Sequence, residues 1–282
     1  MDDFSRMLLV SDYDRTMTAF DGTIPPANQA AVAQFLAGGG AFTIATGRSR
    51  PMFRQPAAEL PLDVPVIVAN GAAVWEPARD RITVYHALGS EDLARIRELH
   101  GRWPGLRLEL QGLRGHRCFG RDPLRDAYMA RYGMTPDYGG WEGLTDTYLV
   151  ACFYAPFRSP FHSRPGETCP EDEAPFDEME RLLAGSPLDT VRSLPRMIEL
   201  LPRGCGKGAA ARRLAGTLGR EVLLCAGDAP NDLPMLEEAD RAFVPASADE
   251  AVLHRGYEVV ADCDRGAVAD LIARLERTER ST

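Results

Sequence analysis

Met7-Leu8-Leu9-Val10-Ser11-Asp12-Tyr13-Asp14-Arg15-Thr16 is the stretch from which the rest of this chain is read. Its first four residues are an unbroken apolar run, the pattern of a buried strand, and the run gives way to polar residues carrying two carboxylates. Side chains alternate along an extended chain, so Asp12 and Asp14 share a face for as long as the chain stays extended. Carboxylates held together repel, and a hard divalent cation is the usual neutraliser. Aspartates at strand ends also serve turns and caps, so the pair needs support from elsewhere.

Three other apolar runs supply it. Phe42-Thr43-Ile44-Ala45 ends in Thr46-Gly47-Arg48, Val64-Pro65-Val66-Ile67-Val68-Ala69 ends in Asn70-Gly71, and Val222-Leu223-Leu224-Cys225-Ala226 ends in Gly227-Asp228. Ligands of open parallel sheets bind outside the carboxyl ends of the strands, so four polar strand ends outline one site. Each has a structural alternative. Thr46 or Ser49 suits the N-cap of a helix begun by Pro51, and Asp228 with Asp232 suits a cap and first-turn acid around Pro230.

Lys207 joins the set. It is the only lysine among 32 basic residues, and it stands in Gly204-Cys205-Gly206-Lys207-Gly208 at the start of a helical pattern. An ammonium is a compact point charge and a guanidinium a wide planar fork, so a narrow site tolerates only the first. A helix N-terminus disfavours a cation, and a nearby anion resolves the conflict.

Asp12-Tyr13-Asp14-Arg15-Thr16, Thr46-Gly47-Arg48, Lys207 and Gly227-Asp228-Ala229-Pro230-Asn231-Asp232 resemble, in order and spacing, the four motifs of the haloacid dehalogenase superfamily of phosphatases. The resemblance runs from residue 7 to about residue 270. Asn70-Gly71-Ala72 and Asn231-Asp232-Leu233-Pro234-Met235 narrow it to the Cof-like branch, related to sucrose-phosphate and trehalose-phosphate phosphatases. It implies Asp12 as a nucleophile that takes the phosphoryl group, Asp14 as acid and base, and Thr46 and Lys207 as binders of the transferring group. It further implies Mg2+ held by Asp12, Asp14 through its backbone carbonyl, and Asp228, with phosphate or supporting contacts from Thr16, Gly47, Asn231 and Asp232. Family members without the second aspartate include the dehalogenases and the P-type ATPases, so its presence favours phosphatase or phosphomutase chemistry.

The expected fold is α/β: a Rossmann-like, doubly wound parallel sheet over residues 1–82 and 196–282, with an α+β cap inserted at 83–195. In the first part, residues 17–26 read as a hairpin-like flap and 26–36 as a helix. In the insertion, strand-like runs at 82–86, 106–110, 148–154 and 197–201 alternate with helical stretches near 91–100, 123–132 and 176–183. Residues 155–175 are rich in proline, serine and acids and read as a loop. Substrate choice is expected in the insertion, which can close over the site. Arg196-Met197-Ile198-Glu199-Leu200 resembles the strand that carries a sugar-contacting glutamate in trehalose-phosphate phosphatases, with Arg196 and Glu199 on opposite faces. Arg48 and Asn70, at core strand ends, are further substrate candidates. Arg114, His116 and Arg117 form a polar cluster that reads as a solvated loop, or as a binder of a polyol or second anion. The other histidines lack partners at ligand spacing.

The balance of 45% hydrophobic and 26% charged residues is ordinary for a globular protein, and a net charge of -9 argues against nucleic acid or anionic membrane as a partner. The expected partner is a small phosphorylated metabolite, most simply a sugar phosphate, handled by a monomer or small homo-oligomer. Six scattered cysteines with no C-x-x-C pair give no zinc or redox motif. The first apolar run is too short for a signal peptide or membrane span, which makes the expected location cytoplasmic. A P-loop is excluded, because its first glycine would fall at Leu201 and Gly208 follows Lys207. A dinucleotide fold would need glycines where Asp12 and Asp14 stand. A receiver domain would carry its acceptor aspartate mid-chain. A phosphomutase and a non-catalytic phosphate-binding protein remain as rivals. Phe243-Val244-Pro245-Ala246-Ser247-Ala248 departs from the asparagine-alanine pair common at this place in the family.

Overall fold

Leu8, Leu9 and Val10 have no exposed surface, because the strand Met7–Ser11 has a parallel neighbour on each side. In the computed structural model, which describes residues 3–156 and 170–279, Leu8 pairs with Leu223 on one side and with Ala41 on the other. A strand covered on both faces needs no polar alternation, which is why its sequence is a continuous apolar run. Two compact units emerge: Met1–Gly47, Pro56–Thr83 and Gly206–Thr282 form one, Arg48–Gln55 and Val84–Cys205 the other.

The first unit is built on a five-stranded parallel sheet in the order Glu258–Val260, Arg241–Pro245, Val222–Ala226, Met7–Ser11, Ala41–Ile44. Connections leave the middle of the sheet in opposite directions. Right-handed crossovers therefore put helix Pro26–Ala37 on one face and helix Leu233–Glu238 on the other. Helix Ala267–Glu279 packs on the former, helix Lys207–Thr217 on the latter. The order reverses between Met7–Ser11 and Val222–Ala226, so the switch point of the sheet falls between the strands that precede Asp12 and Asp228. Asn28 is fully buried and ties this unit together, donating to the Met17 carbonyl (2.9 Å) and accepting from the Ala269 amide (2.9 Å). The flap expected at 17–26 contains a tight turn closed by the Ala19 amide on the Thr23 carbonyl at 2.8 Å.

The second unit holds an antiparallel sheet in the order His116–Phe119, Arg107–Gly112, Tyr148–Tyr154, Met197–Pro202, Leu188–Val191. Leu108, Leu110, Phe153, Ile198 and Leu200 point to one side and form a core with Ile96 and Leu99 of helix Ser90–Arg102 and Phe176 and Met179 of helix Pro170–Leu183. Met197–Pro202 pairs only inside this sheet, so the stretch from 196 to 205, read from sequence as part of the α/β core, belongs with the insertion. Arg48–Gln55 also groups here rather than with the core. Helix Pro170–Leu183 begins before the proline-rich loop was expected to end, since Pro170 at its first position costs no backbone hydrogen bond. Residues 157–169 of that expected loop, with His162 and Cys169, lie outside the described residues.

The opposite side of this sheet is polar yet buried. Glu109 is fully buried there, and Arg125 donates to it twice, from Nε to Oε1 (2.6 Å) and from Nη2 to Oε2 (2.9 Å). Asp122 accepts from the amides of Leu124 and Arg125, capping helix Pro123–Ala130 and fixing where Arg125 begins. His116 Nδ1 lies 3.2 Å from Glu109 Oε2, and its Nε2 lies 2.7 Å from Ser49 Oγ. Burial alone would raise the Glu109 carboxyl, but the Arg125 guanidinium outweighs it and holds Glu109 well below the usual range. Glu109→Gln is expected to destabilise the protein by about 3–5 kcal/mol, since it leaves Arg125 buried without its counter-charge. A depressed carboxyl stabilises above its unfolded value and loses that contribution as pH falls. Denaturant melts should therefore show the wild-type advantage at pH 7 shrinking below about pH 4.3.

Among the described residues, Cys118, Cys152, Cys205, Cys225 and Cys263 are buried free thiols, and no helix is long and apolar enough to cross a membrane.

Candidate active site

Lys207 is the first residue of helix Lys207–Thr217 and is 1% exposed. Its Nζ donates to Asp12 Oδ1 and to Asp232 Oδ1, both at 2.6 Å. The anion that a cation at a helix start requires is thus supplied by two carboxylates from other parts of the first unit. Asp12 follows directly on its strand and its amide donates to the Ala226 carbonyl (2.8 Å), which holds it against the strand leading to Asp228. Asp232 Oδ2 accepts from the amides of Asp228 and Ala229, each at 3.0 Å, locking the turn that carries Asp228. Asp228 accepts from Thr16 Oγ1 at 3.1 Å and faces Arg15 Nε at 3.2 Å.

Carboxylate oxygens of Asp12, Asp228 and Asp232 lie within 4.8 Å of one another. Burial, reinforced by the Asp232 charge and opposed by Lys207, pushes the Asp12 carboxyl well above its ordinary value. Burial likewise raises Asp228, to about 7, against the pull of Arg15. Lys207 moves the other way from what burial favours: Asp12 and Asp232 raise it, so it stays charged. The site therefore holds more buried negative charge than its cations neutralise. All three acids offer hard oxygen donors, the set that suits a small divalent cation. Asp232 meets Lys207 and the backbone, and Asp228 meets Thr16 and Arg15, so existing partners do not separate the three carboxylates as holders of a metal.

Asp14 departs from the arrangement read off an extended chain. The strand stops at Ser11 and a turn begins at Tyr13, so the extended chain on which Asp12 and Asp14 would share a face does not continue between them. The charge of Asp14 still reaches Asp12, but its carboxylate is not one of the clustered three. Thr46 is built into the backbone of the next strand end, donating its amide to Ile67 and accepting from the Asn70 amide (3.0 Å). Asn70 takes φ +51°, accepts from Asn231 Nδ2 at 3.3 Å and packs over Gly47. Asn231 thus reaches Asn70. Gly71, at φ +93°, passes so near the residue before Lys207 that a Cβ would sit 2.3 Å from the Gly206 carbonyl oxygen. This close approach joins the Asn70 turn to the start of the lysine helix.

The remaining candidates lie in the second unit. The Arg48 guanidinium stacks 4.6 Å over the Tyr132 ring. Arg196 takes φ +61° just before its strand, with its amide on Glu173 and Nη2 on the Pro156 carbonyl. Glu199 is 3% exposed and accepts from Ser193 Oγ at 2.8 Å. Of Arg114, His116 and Arg117, only Arg114 lies in an exposed loop as expected; the other two belong to strand His116–Phe119. His116 is buried in the Glu109 network, while Arg114 pairs with Asp146 and Arg117 with Asp137. Leu108-Glu109-Leu110-Gln111 carries the alternation of a half-exposed strand, so nothing in it signalled that Glu109 is covered.

A parallel sheet with acids and a lysine gathered at its switch point is the arrangement that the resemblance to the haloacid dehalogenase superfamily implies. The family profile described as haloacid dehalogenase-like hydrolase matches residues 9–101 and 170–272, and the chain belongs to that family as an enzyme of the phosphatase type. The HMP-PP phosphatase of Cronobacter sakazakii (strain ATCC BAA-894) is 28% identical over 274 residues, covering 92% of this chain and 91% of its own. A haloacid dehalogenase-like hydrolase from B. subtilis shares the fold with a TM-score of 0.79 at 19% identity, over 95% of this chain and 99% of its own. A subclass IIB sugar phosphatase of the superfamily does so with a TM-score of 0.78 at 16% identity, over 95% and 98%. Enzymes of this superfamily generally use a divalent metal.

Proposed function

We propose that this chain is a magnesium-dependent phosphomonoester hydrolase that acts on a small phosphorylated metabolite, a sugar phosphate, through an aspartyl-phosphate on Asp12. The observation that carries the reading is Lys207 Nζ held at 2.6 Å from both Asp12 and Asp232, with Asp228 alongside, at the sheet's switch point. Asp12 attacks phosphorus through a carboxylate oxygen and needs no base once ionised. Asp12, Asp228 and the Asp14 carbonyl would hold the magnesium ion, which would supply positive charge that keeps Asp12 ionised and offsets its repulsion of a dianionic ester. Lys207 and the Thr46 hydroxyl hold oxygens of the transferring group, and Asp232 orients Lys207. Asp14, outside the tight cluster, gives a proton to the leaving alkoxide and takes one from the water that cleaves the intermediate. Thr16 steadies Asp228, and Gly47 leaves room for Asn70.

The inserted unit serves in this reading as the specificity cap, with Arg48, Arg196 and Glu199 as its candidates for substrate contact, and Asn70 as the candidate from the first unit. The enzyme works in the cytoplasm as a monomer or small homo-oligomer. The test is a phosphatase screen over sugar phosphates, other small phosphomonoesters and HMP-PP, with magnesium and with chelator. Turnover of at least one ester should fall by at least about a hundredfold in chelator and return with magnesium. Hydrolysis indifferent to chelator rejects the metal assignment, and no hydrolysis of any ester rejects the phosphatase reading.

A further inference from the structure

Two consecutive residues of the turn Tyr13–Met17 address the two oxygens of Asp228. Thr16 Oγ1 donates to Oδ1 at 3.1 Å, and the Arg15 guanidinium faces Oδ2 with its Nε at 3.2 Å. One oxygen thus meets a neutral hydroxyl and the other a full positive charge. Arg15 holds this place at φ +60° and ψ 12°, in the left-handed region where the Cβ of any residue but glycine is crowded. The backbone alone favours glycine here, and what arginine adds is its side chain. The turn around it is fixed: the Met17 amide donates to the Asp12 carbonyl at 3.2 Å, and the Arg15 amide donates to Thr18 Oγ1 at 3.1 Å.

Among the described residues, two cations pair with the clustered carboxylates of Asp12, Asp228 and Asp232. They differ in freedom. Lys207 is wedged between Asp12 and Asp232 with a side chain 1% exposed, whereas the Arg15 side chain is 22% exposed and swings into solvent by rotating its stem. A divalent cation and a guanidinium compete for the same carboxylate, and they repel each other strongly where water is excluded.

We propose that Arg15 is the displaceable counter-ion of this acidic cluster: it competes with the divalent cation for Asp228 and so sets how weakly the cluster holds its metal. The inference rests on the metal reading above. Arg15 acts through Asp228 and is a positioning residue, with no contact to the reacting atoms assigned to it.

Titration of Mn2+ into the full chain, with free Mn2+ followed by its paramagnetic resonance, tests it. The site counted is the one lost in Asp228→Asn. Arg15→Gln removes the charge and is expected to lower the Kd for Mn2+ at least about tenfold. Arg15→Gly removes it while relieving the left-handed turn, and should tighten binding to the same degree. The ammonium of Arg15→Lys lies one atom further along the stem than Nε and keeps a point charge within reach of the same oxygen, so its Kd should stay within about threefold of the wild type. Melts in chelator confirm that each variant folds. The sign of the change separates this role from a structural one, since general damage to the turn weakens metal binding. Equal or weaker binding by Arg15→Gln and Arg15→Gly, or binding by Arg15→Lys as tight as theirs, overturns the inference and leaves the metal reading standing. A wild type that binds no Mn2+ rejects the metal reading and the inference with it.

Discussion

Asp12→Asn is expected to lower kcat by at least about a thousandfold while the protein, in chelator, melts at or above the wild-type temperature. The two halves have one cause. Asp12 sits buried beside Asp232 and Asp228, and its carboxyl is raised above its ordinary value. An acid whose folded value exceeds the unfolded one, about 3.9, costs stability once pH passes the unfolded value, because the folded state resists ionisation. Asparagine removes that cost and still offers Lys207 an oxygen. The stability difference should accordingly vanish in acid below the carboxylate range and open as pH rises toward 7. Activity goes the opposite way, since an amide oxygen is a poor nucleophile and cannot hold a metal as a carboxylate does. Mass spectrometry before assay excludes deamidation back to aspartate. Wild-type turnover in a preparation free of aspartate would remove Asp12 from the role of nucleophile.

The parts of the site that could be read in advance are those that follow from strands. Asp12, Thr46, Asn70 and Asp228 each end an apolar run, and buried parallel strands both produce such runs and deliver their carboxyl ends to one edge. Lys207 was legible because composition isolated it. What was not legible depends on which partner covers a surface. Met197-Ile198-Glu199-Leu200-Leu201 has the composition of a core strand, and only its antiparallel pairing with Tyr148–Tyr154 and Leu188–Val191 assigns it to the insertion. Glu109 reads as a solvent-facing residue until Arg125 is seen against it. Asp14 kept its expected face only on the condition of an extended chain, and the turn that begins at Tyr13 ended that condition.

Lys207→Arg separates placement of charge from charge itself. The ammonium has three donors. Two are spent on Asp12 and Asp232, and in the proposed reaction the third serves an oxygen of the phosphoryl group. A guanidinium spreads its donors in a plane and is bulkier, and at a position 1% exposed it must displace its neighbours. Overpacking of this kind costs about 1–3 kcal/mol of stability. Lys207→Ala should cost more, about 3–5 kcal/mol, because it strands two buried carboxylates without a cation. The arginine variant is therefore expected to be the more stable of the two and yet to lose at least about a hundredfold in kcat, since a fork turned toward Asp12 and Asp232 leaves no donor aimed at the reacting group. Melting curves and saturation kinetics on the wild type and both variants supply the comparison. An arginine enzyme with wild-type kcat would mean that any cation in contact with Asp12 suffices, and the solitary lysine would then be an accident of composition.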